Sequence, residues 1–151
     1  MDADSNAVDA ASLVQQAPDA MIFAGSDGVI RVWNPAAERI FGFTAEAAIG
    51  QDLNIIIPEN LRDKHWEGYD RALAAGDTKY RGQSLPTKAL KADGSTIYVE
   101  LSFAIIHGSA GDVIGAMARS RSKRSVMSRA CAMAPMTSPA GPWMMAKLSS
   151  T

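Results

Sequence analysis

The chain has 151 residues, 47% of them apolar, and a formal net charge of −1. That suits one globular domain with extensions. No run is long or apolar enough to span a bilayer, and the acidic start MDADSNAVDAAS has no signal-peptide pattern, so the expectation is a cytoplasmic protein without membrane contact. Cys131 is the only cysteine, which excludes an internal disulfide and a cysteine-based metal site.

In chain order, residues 6–17 predict a short helix with a partial apolar face of Val8, Ala11, Leu13 and Val14, stopped by Pro18. Met21 to Ala24 reads as a strand, near 20–24. Asp27-Gly28 supplies the positive φ of a two-residue hairpin turn, and a β-branched strand follows near 29–33. Asn34 then caps a helix whose first position is Pro35. Thr44 to Ala47 reads as a capped helical turn ended by Gly50, and Asp52 as the cap of a turn over Leu53–Ile57. Pro58 opens the longest helix, Glu59 to Ala75, which Gly76 closes.

The second half reads as β-structure. A strand is expected within 78–91, where Pro86 marks an edge or a bulge. After the Ala92-Asp93-Gly94 turn, residues 96–107 alternate at period two, with Ile97, Val99, Leu101, Phe103 and Ile105 on one face. A turn at His107–Asp112 precedes a last strand near 112–119. The order ββ, helices, βββ predicts an α+β fold: a five-stranded antiparallel sheet with short helices and one longer helix on one face. The expected core is Ile22, Ile30, Val32, Phe41, Ile49, Ile55, Leu61, Leu73, Val99, Leu101, Phe103 and Ile114.

Charge is unevenly placed. The first thirty residues carry Asp2, Asp4, Asp9, Asp19 and Asp27 and no cation, whereas no acidic residue follows Asp112. The basic end, with Arg119, Arg121, Lys123, Arg124, Arg129 and Lys147, lacks an aromatic platform or a recognition helix. It reads as a solvated, disordered tail, not a nucleic-acid contact. The expected divisions are an N-terminal extension and helix (1–17), a folded domain (18–120) and the tail (121–151).

Few residues offer chemistry. Neither histidine, His65 or His107, has a Ser, Cys or paired-carboxylate context, and no phosphate-binding glycine loop follows a strand, so catalysis is not expected. Glu59, Asp63, Glu67 and Asp70 share the long helix with Arg62, Lys64 and Arg71 as a solvated face. On that helix Leu61, His65, Gly68 and Ala72 fall on one face, with the small residues leaving room beside the imidazole. An imidazole so placed could ligate a flat metallocofactor or simply pack.

The stretch APDAMIFAGSDGVIRVWNPAAERIFGFTAEAAIG, with Asn34, Ala37, Phe41-Gly42-Phe43 and Ile49-Gly50, resembles the opening of a PAS domain. The Lys91–Ser95 turn and the alternating strand after it resemble the second half of that family. The resemblance implies a sensory or protein-interaction module in signal transduction, often in regulation of transcription, working through a protein partner or a homodimer. It also implies a possible small-molecule ligand. Gas-sensing members that bind haem b place their proximal histidine where His65 stands, and Pro58–Tyr69 looks similar to theirs. Those members also carry a distal Met or Arg on the next strand; its equivalents here are Gln83 and Leu85, so that distal chemistry is not reproduced, though Gln83 could hydrogen-bond a ligand. A flavin-cysteine adduct is excluded, because Cys131 lies in the tail. Non-covalent flavin, stacked on Trp33 or Trp66, remains open. The family's common closing Asp-Ile/Val-Thr signature is missing after Ala118-Arg119.

Overall fold

A computed structural model describes residues 8–122. The tail expected to be disordered lies almost wholly outside these residues, as does the start of the predicted 6–17 helix. Helix α1 spans Ala10–Gln16, capped by the Asp9 carboxylate, which accepts from Ser12 N. Strands β1 (Ala20–Gly25) and β2 (Ile30–Trp33) form the first hairpin. Helices α2 (Pro35–Phe41) and α3 (Ala45–Ala48) follow. Two 3-10 turns, Leu53–Ile55 and Glu59–Leu61, lead into α4 (Arg62–Ala75). Strands β3 (Leu85–Leu90), β4 (Thr96–His107) and β5 (Val113–Ser122) complete the chain. β5 thus runs past the expected domain end at residue 120.

The five strands form one antiparallel sheet in the order β2-β1-β5-β4-β3. β3 is an edge strand, which accommodates Pro86: its missing N–H takes no ladder bond from an interior neighbour. The first hairpin turn is longer than expected. Gly28 N donates to Gly25 O (2.8 Å) and Gly25 N to Val29 O (3.0 Å), giving a loop over residues 26–28 with Gly28 left-handed at φ +79°. This is a tight turn followed by a bulge.

β3 begins at Leu85 because a local turn occupies the residues expected to start it. The Asp77 carboxylate accepts from Thr78 N and pairs with Arg81 at 2.8 Å, Gln83 N donates to Tyr80 O, and Gly82 takes φ +77°. These bonds offer the backbone an alternative to the ladder.

The core lies between the inner sheet face and the helices. Ile22, Ile30, Phe41, Leu61 and Val99 are buried there as expected, and Ile55 and Leu101 pack against them. Val32, Leu73 and Phe103 are half-buried. Ile49 and Ile114 are corrections, at 45% and 40% exposed. Ile49 caps α3 with extended backbone, while Ala48 turns inward. Ile114 is the bulged residue where the β4–β5 register shifts beside Ile106 and His107, so alternation no longer predicts its face.

Candidate functional site

The site is built on α4. Its first turn follows the 3-10 turn that buries Leu61, and three- and four-residue spacing then aims His65, Gly68 and Ala72 at the sheet. These three residues line a cavity of about 380 Å³. Phe103, Ile105 and Ala116 close it from β4 and β5, and residues 77–80 close it at one end. A smaller void of about 70 Å³ lies nearer the core, lined by Leu61, Phe41, Leu53 and Leu101 among others. His65 and Phe103 border both spaces, so the imidazole stands on the partition between them.

Aromatic neighbours fix the imidazole. Its ring lies 4.9 Å from Trp66, edge-on, and 5.7 Å from Tyr69 at 32°. Both neighbours are themselves held. Trp66 Nε1 donates to Asn54 Oδ1 at 2.9 Å. The Trp66 ring lies over Gly28, where a Cβ would come within 2.5 Å of it, so that glycine serves both the turn and the close approach of α4. The Tyr69 hydroxyl reaches Ala24 O (3.1 Å) and Gly25 O (2.7 Å) and ties α4 to β1. Burial, reinforced by the Asp27 carboxylate, pushes Tyr69 up to about 12, so the phenol remains protonated.

His65 is different. Its Nδ1 is buried and has no hydrogen-bond partner among the described residues; Ser120 Oγ is the one other such side-chain atom there. Burial alone pushes the imidazole down to about 4, so it is neutral at pH 7. A neutral imidazole with an uncommitted nitrogen can ligate a metal or hydrogen-bond a ligand. Among the residues lining the two spaces it is the single histidine.

The structure therefore gathers His65, Gly68 and Ala72 on one wall, with Leu61 joining through the smaller void. Gln83 is not with them. It is exposed and lines neither space, because the turn beginning at Asp77 replaces the strand phase that would have aimed it inward. Trp33 and Trp66 line neither space either. Trp33 is buried with Nε1 bonded to Phe43 O at 2.9 Å, so neither indole offers a stacking face for a flavin in the cavity. Tyr69, Tyr80, Ile105 and Ala116 line the cavity without a motif in the sequence that marks them. Helical spacing alone points to Tyr69, which stands four residues after His65 on the same face.

A family model described as PAS fold matches residues 9–121. The chain belongs to the PAS family. PAS domains are sensory modules, and this one is 35% identical over 91 residues to sensor protein FixL of Bradyrhizobium diazoefficiens, covering 60% of this chain and 18% of that protein. It is 31% identical over 91 residues to oxygen sensor protein DosP of Escherichia coli, covering 60% of this chain and 11% of that one. The chain thus spans less than a fifth of the length of these relatives. A crystal structure of a PAS domain from Colwellia psychrerythraea superimposes with a TM-score of 0.64 at 23% identity, over 74% of this chain and 92% of that one. Among the described residues, no helix is long and apolar enough to cross a membrane.

Proposed function

We propose that this PAS domain is the sensory part of a signalling protein and takes a small ligand, without chemistry on it, into the cavity between α4 and the sheet. The observation that carries the reading is the unpartnered Nδ1 of His65 on the wall of a space of about 380 Å³. A buried polar atom left unpaired costs about 1–3 kcal/mol, a cost that a bound ligand removes. The volume falls within the roughly 300–1,000 Å³ common for ligand pockets. A ligand there bridges α4 to β4 and β5 and alters their packing, and the terminal segments pass the change to a protein partner or a second copy. Regulation of transcription is one output open to such a module. Native mass spectrometry of the purified protein tests the reading. A ligand retained by the wild type and absent from Gly68→Leu supports it; no retained ligand, together with no thermal shift across a metabolite library, overturns it.

A second reading gives His65 an iron to hold. The neutral ring suits axial ligation of haem b, with Leu61, Gly68 and Ala72 as the surrounding apolar wall. The likeness to a protein named as an oxygen sensor favours it. Bound haem would supply a gas-binding iron; this chain supplies the nitrogen and the dry wall around it. The absorption spectrum of protein from haem-replete cells is the test. A Soret band lost in His65→Ala and kept in His107→Ala supports iron on His65. Absence of the band in the wild type overturns it and leaves the small-ligand reading standing.

A further inference from the structure

We propose that Tyr69 reports the filling of the cavity to the turn between β1 and β2, tightening that turn when a molecule is bound. This link rests on the cavity reading above and does not depend on iron. One side chain makes it. Tyr69 is part of the cavity wall, beside Gly68 and Ala72. Its hydroxyl reaches the end of β1, where it donates to Gly25 O at 2.7 Å, with Ala24 O at 3.1 Å. Gly25 O is the acceptor that closes the turn: it also takes the Gly28 N–H, at 2.8 Å. The Gly25 N–H donates back across the turn to Val29 O at 3.0 Å. The phenol therefore shares an acceptor with the turn itself.

The helix grips the turn at two points. Trp66, three residues before Tyr69, lays its ring over Gly28, where no side chain fits. The two rings also meet each other, with centroids 5.4 Å apart, and Tyr69 meets His65 at 5.7 Å. On its own side the turn leans on β5, because Ser26 N donates to Ile114 O at 3.1 Å. A ring that borders a cavity has fewer dispersion contacts than a packed one, and a bound molecule adds them. Packing added to the Tyr69 ring restrains its hydroxyl, and a restrained hydroxyl holds Gly25 O in the closed geometry. The phenol remains protonated at neutral pH, so the bond is available throughout. Such a contact shifts the population of a locally open turn without remaking the fold.

Amide hydrogen exchange of the full chain tests the link, read by NMR with and without saturating N-phenyl-1-naphthylamine, a neutral apolar fluorophore whose emission follows its own uptake. The reference is Gly94, whose N–H closes the turn between β3 and β4 onto Lys91 O at 2.9 Å, in a segment that does not line the cavity. In the wild type the probe should slow exchange at Gly28 and Gly25 about three- to tenfold beyond any slowing at Gly94, the worth of one hydrogen bond. Tyr69→Phe keeps the ring in the wall and removes the link. It should take up the probe as the wild type does and lose the extra slowing. Should that variant lose its thermal transition or its probe, the wild-type contrast between Gly28 and Gly94 decides alone. Probe bound with slowing at Gly28 no greater than at Gly94, or extra slowing that persists in Tyr69→Phe, overturns the inference and leaves the cavity reading intact. No uptake of the probe by the wild type overturns the two together.

Discussion

Two regions of the inner sheet face are finished in opposite ways. At the β1–β2 end, Asn34 is fully buried and every bond its amide can make is made. Its Oδ1 accepts from Met21 N (2.9 Å) and Ala37 N (3.1 Å), and its Nδ2 donates to Val14 O (2.8 Å) and Asp19 O (3.1 Å). Ile30, Trp33 and Phe41 fill the space beside it. Over β4 and β5, α4 stands off the sheet across about 380 Å³, and His65 keeps a buried nitrogen with no partner among the described residues. One end fixes the fold. The other leaves packing and polar satisfaction incomplete, the condition under which a bound molecule can shift an equilibrium. Consistency across levels breaks down where a site is built.

The largest expected effect falls at the satisfied end. Asn34→Ala removes the side-chain partner of the Met21 and Ala37 N–H groups and of the Asp19 carbonyl, and one of the two donors to the Val14 carbonyl, where α1, β1 and α2 meet, and should cost about 3–4 kcal/mol in urea unfolding. A loss below about 1 kcal/mol would mean that water enters this corner and that the two ends are alike.

His65 probes the open end through pH. Its folded value of about 4 lies below the ordinary 6.5, so the unfolded chain takes up the proton first. Its contribution to stability is therefore full above pH 6.5, falls as pH drops towards 4, and is constant below that. The loss is bounded at the order of 3 kcal/mol. Asp9, Asp27, Asp77 and Asp93 have carboxyls held below 3.8 by local hydrogen bonds, so their own losses on acidification come at lower pH, outside this window. Urea unfolding of wild type and His65→Phe should thus keep a constant offset above pH 6.5 and change it as pH falls towards 4, where the wild type loses stability and the variant follows a flatter curve. Parallel curves would show that the imidazole is solvated, and that the cavity is wetter than its walls suggest.

The same contrast explains what could be read from sequence. Caps and turns are local: Asn34 before Pro35 and Asp52 before Leu53 are where their chemistry places them, and Gly28 takes its positive φ although the first hairpin loop is one residue longer than expected. The period-two pattern of β4 carried Leu101, Phe103 and Ile105 to the inner face, where they line the two spaces. Ala20, Ala24, Ala36, Ala37, Ala48 and Ala89 were not legible as core, because a methyl side chain gives no size signal; close approach of the elements buries them. Gln83 was misplaced because the bonds of Asp77 compete with a strand that β propensity alone would extend. A cavity is an absence of atoms, and only Gly68 and Ala72 announced it. The destinations of the Tyr69 hydroxyl and the Trp66 ring lie more than thirty residues away in sequence, a tertiary fact without local trace.

Gly68 gives the smallest effect and the sharpest sign. It sits inside α4 with helical backbone and is not among the glycines with positive φ, so its conformation does not require glycine. In a helix interior glycine is less stable than alanine by roughly 0.5–1 kcal/mol. The remaining physical reason for it is room beside His65. Gly68→Ala should therefore raise stability by about that amount while weakening uptake of N-phenyl-1-naphthylamine, since the added methyl enters the cavity. A stabilised protein with weaker uptake would show that helix stability has been given up for space at the open end. A destabilised one would mean that the methyl meets the opposite wall, and that α4 packs closer to Phe103 than a cavity of this size allows.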